Sequence, residues 1–185
     1  MNAWTSISAL LLAGFLAGTA QARVVHVTDA GAPRSLPAQG PVSVRWEDPA
    51  QFSELRYSHN RWEASRGDWV MQLATWLRTR AERRLPPGER LDIDITDIQR
   101  AGNYEPWLGI QFDSVRILRD LYPPRIRLTV QRLDANGRVV AEGERRLSDP
   151  GFLMNDSNFG RDDPLRFEKR MIDRWLVREL GPGKS

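Results

Sequence analysis

The 185-residue chain contains no cysteine, two histidines and only two lysines, Lys169 and Lys184. Each shortage closes a class of explanation. Without cysteine there is no disulfide framework, no thiolate zinc site, no cysteine nucleophile and no lipid anchor attached through a cysteine. The histidines, His26 and His59, are not held at the spacing of a zinc motif such as HExxH. There is no G-x-S-x-G elbow, no Gly-rich phosphate loop and no dinucleotide fingerprint. The one stretch dense in oxygen donors, NDSNFGRDD at 155–163, lacks the spacing of an EF-hand loop. No cofactor and no metal site are expected from these parts.

Long apolar runs are equally scarce. ISALLLAGFLAGTA, residues 7–20, is shorter than the ~20 apolar residues a membrane span requires, and it runs into Ala20-Gln21-Ala22, the small-residue pattern of a signal peptidase site. Residues 1–22 therefore read as a secretory signal peptide cleaved between Ala22 and Arg23, although no Lys or Arg precedes the run. That places the remaining 163 residues in the periplasm or outside the cell, with no transmembrane segment after cleavage. Lacking disulfides, they must hold together by burial alone. A chain of ~150 residues can bury roughly 70 % of its unfolded surface, so one domain is feasible. The expected organisation is a flexible N-terminal arm over 23–41 and a single globular domain over 42–181.

The formal charge is +3, and 25 of the 27 basic residues are arginine. Because 24 acids are interleaved with them, no concentrated basic stripe forms and nucleic-acid binding is not expected.

Patterning gives the elements. VSVRW at 42–46 alternates like a strand, and residues 47–65 read as an irregular loop packing Phe52, Leu55, Tyr57 and Trp62 on the core. Trp69, Leu73, Trp76, Leu77, Ala81 and Leu85 recur at helical spacing, and Pro86-Pro87-Gly88 ends that helix. In the strand at 91–98, Leu91, Ile93 and Ile95 point one way and Asp92, Asp94 and Thr96 the other, which puts Asp97 on the apolar face. Residues 99–110 form a loop, and 112–121 fit either a short helix or a strand. Ile126, Leu128 and Val130 alternate, DANG at 134–137 turns, and 138–147 return as the second strand of a hairpin of open register. Asp163 and Pro164 open a last helix whose buried face holds Leu165, Met171, Ile172, Trp175, Leu176 and Leu180. Two amphipathic helices on one face of a mainly antiparallel sheet make an α+β, two-layer domain.

VRWEDP, DITDIQRAGNYEPW, VRILRDLYPPRIRL and DDPLRFEKRMIDRWL, in this order and spacing, resemble the domain of unknown function 3016 family, small proteobacterial proteins with signal peptides. The resemblance covers about residues 42–180. It implies an envelope or secreted location and a single domain, and it brings no activity, ligand or catalytic residue.

Functionally, the sequence points first to a non-enzymatic binding or interaction module of the cell envelope, whose partner is an envelope protein or a small ligand. The candidate surface is the loop end holding Asp97, Tyr104, Glu105, Trp107, Arg119, Asp120 and Tyr122, since aromatics beside arginine are favoured at interfaces. A carboxylate-dependent periplasmic hydrolase is the alternative, and a basic surface resting on anionic lipid or envelope polymer is a third. Enzymatic activity is left open.

Overall fold

The computed structural model describes residues 24–154 and 162–181. The expected signal peptide and most of the 155–163 stretch lie outside the described residues.

The alternation legible in the sequence builds a four-stranded sheet. Its strands are β1 (Val42–Trp46), β2 (Arg90–Gln99), β5 (Arg125–Leu133) and β6 (Val139–Ser148), in the order β1-β2-β5-β6. β2, β5 and β6 run antiparallel, whereas β1 lies parallel to β2. A parallel neighbour requires a crossover. Residues 47–89 supply it through three helices, α1 (Ser53–Arg56), α2 (Arg61–Ser65) and α3 (Trp69–Glu82). The stretch read as irregular thus contains two short helices. Phe52 and Leu55 enter the core, but Tyr57 and Trp62 are exposed.

One face of the sheet is apolar. Val42, Val44 and Trp46, then Leu91, Ile93 and Ile95, then Ile126, Leu128 and Val130 are all buried. Against them pack α3 and the last helix, α4 (Arg166–Leu180), through Leu73, Leu77, Met171, Ile172, Trp175 and Leu176. The architecture is α+β with a mainly antiparallel sheet. The opposite face is polar: Arg45 meets Asp94 at 3.0 Å, and Glu144 meets Arg146 at 2.7 Å. No helix among the described residues is long and apolar enough to cross a membrane.

The β5–β6 hairpin pairs Arg125 with Ser148 through to Leu133 with Val139, with a register shift beside Leu133. Asp134 organises its turn by accepting from the backbone N–H groups of Asn136 (2.8 Å) and Arg138 (3.0 Å), while Gly137 takes the positive φ of 79°. The arm before β1 is fastened at both ends. Val27 donates to the Ser65 carbonyl (2.8 Å), and Leu36 to that of Val44 (2.9 Å), so residues 34–36 cover the outer side of β1. Asp163 accepts from Leu165 N–H (2.9 Å) just before α4, three residues ahead of the helix it was expected to cap.

Candidate functional site

The site is organised by the far end of β2. An extra residue at Thr96 breaks the pairing register between Ile95 and Asp97. Such a bulge resets the alternation. Ile98, opposite Ile126, goes into the core, and Asp97, opposite Arg127, turns to the polar face. This corrects the sequence expectation that Asp97 shares a face with Ile93 and Ile95. β1 has already ended opposite Ile95, and α1 hydrogen-bonds Asp97 of β2 and Arg100 just beyond it instead. Asp97 Oδ1 accepts from Ser53 N–H (2.6 Å), and Oδ2 accepts from Ser53 Oγ (2.7 Å) and Arg127 (3.0 Å). It is therefore a clasp on the start of α1.

Glu54, the next residue of α1, is buried between two guanidiniums. It accepts from the backbone N–H of Arg100 (2.8 Å), from the Arg100 side chain (2.8 and 3.1 Å) and from Arg116. Burial opposes its charge, but the two arginines outweigh burial and hold its carboxyl below the usual range. Arg100 stacks over Trp69 and Arg116 over Tyr104, with guanidinium carbons 4.5 and 4.8 Å from the ring centroids. Glu168 of α4 approaches the same backbone from the other side. Its Oε1 accepts from Ala101 N–H (2.6 Å), and its Oε2 has no hydrogen-bond partner. Burial dominates there and pushes the carboxyl upward, toward the neutral acid.

Beyond Gly102 the chain forms a miniature ladder, β3 (Asn103–Tyr104) against β4 (Arg116–Ile117), which closes a loop over 105–115. Gly102 has φ 80°, and a Cβ there would stand 2.7 Å from the Ile117 carbonyl oxygen, so glycine is required. Two 3₁₀ turns, Pro106–Leu108 and Ile110–Phe112, shape the loop. The segment 112–121, open between helix and strand in the sequence, thus contains the end of a turn and the short strand β4.

Glu105 anchors the loop at its base and is only 2 % exposed. Arg119 donates to its Oε2 through Nη2 (2.7 Å) and Nε (3.2 Å), and the Tyr122 hydroxyl donates to Oε1 (3.0 Å). The Arg119 hydrogen bonds hold the Glu105 carboxyl below its ordinary range, while burial and the carboxylate raise Tyr122. His59 Nδ1 lies 3.1 Å from the Tyr104 carbonyl, and its ring meets Trp107 edge-on at 4.9 Å. Trp107 is nevertheless 60 % exposed.

Tyr104, Glu105, Trp107, Arg119 and Tyr122 are thus gathered around one loop. Asp97 is not part of that group, and Asp120 is exposed and makes none of these contacts. Sequence reasoning missed Glu54 and Glu168, the buried acids that Arg100 and Arg116 face, because they lie on separate helices far apart in the chain. Apart from Trp107, it also missed the exposed apolar residues of the loop, Leu108, Ile110 and Phe112, whose run PWLGIQF has no period that separates core filler from surface.

Glu54, Asp97 and Glu105 have both carboxylate oxygens engaged by protein donors. The niche beside Glu54, lined by Ser53, Tyr57 and Asn103, offers about 10 Å³, at most room for one water. A larger cavity of about 500 Å³ lies elsewhere, between the arm at 25–33 and the start of α3, with Val27, Trp46, Val70 and Met71 in its wall. Among the described residues no group of three or more His, Asp and Glu side chains is placed to hold a metal ion.

The family model described as protein of unknown function, DUF3016, matches residues 40–178. The chain belongs to that family. The match includes both clasps of this DUF3016 domain, Asp97 and Glu105, and the whole loop between β3 and β4. No curated protein and no solved structure matches the chain.

Proposed function

We propose that this DUF3016 protein is a non-enzymatic docking module of the cell envelope, working in the periplasm or outside the cell after loss of residues 1–22, and that it engages its partner through the β3–β4 loop. One observation carries this reading. Trp107, Ile110 and Leu121 are 60, 86 and 65 % exposed on a segment whose base is fixed by Glu105, Arg119 and Tyr122. Scattered surface apolar residues need no explanation, but a cluster on one braced loop marks an interaction site. A carboxylate-dependent hydrolase gains no comparable support, because Glu54, Asp97 and Glu105 are engaged by arginine, serine, tyrosine and backbone donors.

Trp107→Ala is the direct test. Retained melting behaviour with loss of a partner that co-purifies with the wild type supports docking. Lowered melting with the partner retained shows that Trp107 only packs the loop.

The cavity of about 500 Å³ supports a second mode, capture of a small apolar ligand, since its size falls in the range of small-molecule sites. Native mass spectrometry of protein isolated gently from cells checks it: added mass lost in Val70→Trp supports a ligand, and bare protein removes it.

A further inference from the structure

The sheet has two edges, and the fold treats them differently. On the β1 side the arm closes the ladder: Leu36 N–H reaches the Val44 carbonyl (2.9 Å), and Trp46 N–H the Arg34 carbonyl (2.8 Å). On the other side β6 is the last strand, and no strand among the described residues pairs with its outer edge. β6 is 10 residues long and contains neither proline nor lysine, two residue types that blunt an edge. Such an edge is a template for another strand.

Hydrogen-bond parity fixes which groups the edge offers. Asp149 N–H donates to the Pro124 carbonyl (3.3 Å), so the pairs of the same parity are the bonded ones: Ile126 with Leu147, Leu128 with Arg145, and Val130 with Gly143. The far side of the sheet agrees. Leu91 N–H goes to Pro41 and the Ile95 carbonyl accepts from Glu47, both at 3.0 Å, so these residues of β2 face β1. Asp92 and Asp94 are left to bond Gln131 and Thr129, which turns the alternate residues of β5 toward β6. Glu142, Glu144 and Arg146 therefore aim their N–H and C=O groups away from β5, and all three are exposed. Among the described residues one of these groups has a partner. The Glu144 carbonyl accepts from Arg145 Nη1 at 3.3 Å, and a carbonyl oxygen has a second lone pair to offer.

The side chains decide which strand fits. Glu142, Glu144 and Arg146 alternate onto the polar face, where Glu144 and Arg146 lie 2.7 Å apart. A second copy of β6, antiparallel and centred on Glu144, meets its own complement there: Glu142 comes opposite the partner's Arg146, and Arg146 opposite the partner's Glu142. Opposite charges directly across a ladder attract, and like charges repel. Every one of these pairs joins residues whose backbone groups point outward, so each can exchange two hydrogen bonds. Glu144 meets its own copy, but each of the two has Arg146 beside it. On the face toward the helices Arg145 comes opposite the partner's Gly143 and is itself held by Glu179 at 2.8 Å. Moving the axis to Gly143 sets Glu142 against Glu144 twice, and moving it to Arg145 sets Arg145 against its own copy.

We propose that β6 pairs with β6 of a second copy of this chain, antiparallel about a two-fold axis at Glu144, joining the two sheets into one with the helices of both copies on the same face. β6 carries no residue of the β3–β4 loop, so this pairing does not depend on docking there.

Sedimentation velocity of protein purified from the cells that make it, with its Glu142→Arg and Arg146→Glu variants, tests the proposal. Both side chains are exposed, so melting should change little. The wild type is expected to sediment as a dimer. Each variant sets like charges opposite each other twice, so it should dissociate at least tenfold more readily and run as a monomer at the same concentration. An equimolar mixture of the two variants should form a mixed dimer, because every like-charged contact then becomes an opposite-charged one. The double variant Glu142→Arg/Arg146→Glu should pair with itself for the same reason. A monomeric wild type overturns the proposal, as does a dimer that either single variant leaves intact. So do two monomeric variants that stay monomeric on mixing, since loss without rescue means that positions 142 and 146 do not face each other.

Discussion

Glu54 and Glu168 are both buried within reach of Arg100 and Arg116, yet their environments act in opposite directions. Glu54 is clasped by both guanidiniums, so it is held ionised. Its contribution is present above the ordinary carboxyl value of 4.5 and is lost as pH falls through its lower folded value. Glu168 is dominated by desolvation and is held toward the protonated form. Its contribution is fully present below 4.5 and declines as pH rises toward its higher folded value. Glu54→Ala, which leaves two arginines without their acid, is expected to cost about 3–5 kcal/mol at neutral pH. Glu168→Gln keeps an acceptor for Ala101 N–H and cannot ionise, so it should gain on the wild type as pH rises above 4.5. Urea unfolding of the three proteins between acid and neutral pH checks both signs. A Glu168→Gln effect that is flat with pH would show that Glu168 does not titrate differently in the folded state.

At the scale of elements, the turn into β3 carries the loop. Gly102→Ala forces a Cβ into the Ile117 carbonyl at a positive φ, and it should destabilise by more than about 1 kcal/mol. Its second consequence is local: limited proteolysis should reach residues 105–115 sooner than in the wild type. Trp107→Ala in the same loop removes one edge-on contact with His59 and should cost less than about 1 kcal/mol. Helix α3 and the alternation of β1 and β5 were legible as periods, because their apolar residues repeat at 3.6 and 2. The Thr96 bulge was not legible. One inserted residue flips everything after it, and DITDIQ carries no residue type that distinguishes a bulge from a regular strand.

For the molecule as a whole, α3, α4 and one sheet face share a core that runs from Val27 to Leu176. Unfolding is accordingly expected as one cooperative transition, with tryptophan fluorescence and circular dichroism coinciding. Leu77→Ala, at 1 % exposure in the middle of α3, should cost about 2–5 kcal/mol without splitting that transition. Separate transitions would divide the domain at the crossover between β1 and β2.

The amino-acid sequence by itself determined the α+β class, the faces of the main helices and strands, the DANG hairpin and the family resemblance, since these depend on periods and turn chemistry within short windows. It also drew attention to the segment around Trp107. Only the tertiary structure decided that Asp97 clasps α1, that Glu54 joins Arg100 to Arg116, and that the apolar residues at 107–115 face outward. Those outcomes depend on which segments meet in space. A carboxylate is a clasp, and a leucine a surface, only when the rest of the fold has supplied its neighbours or withheld them.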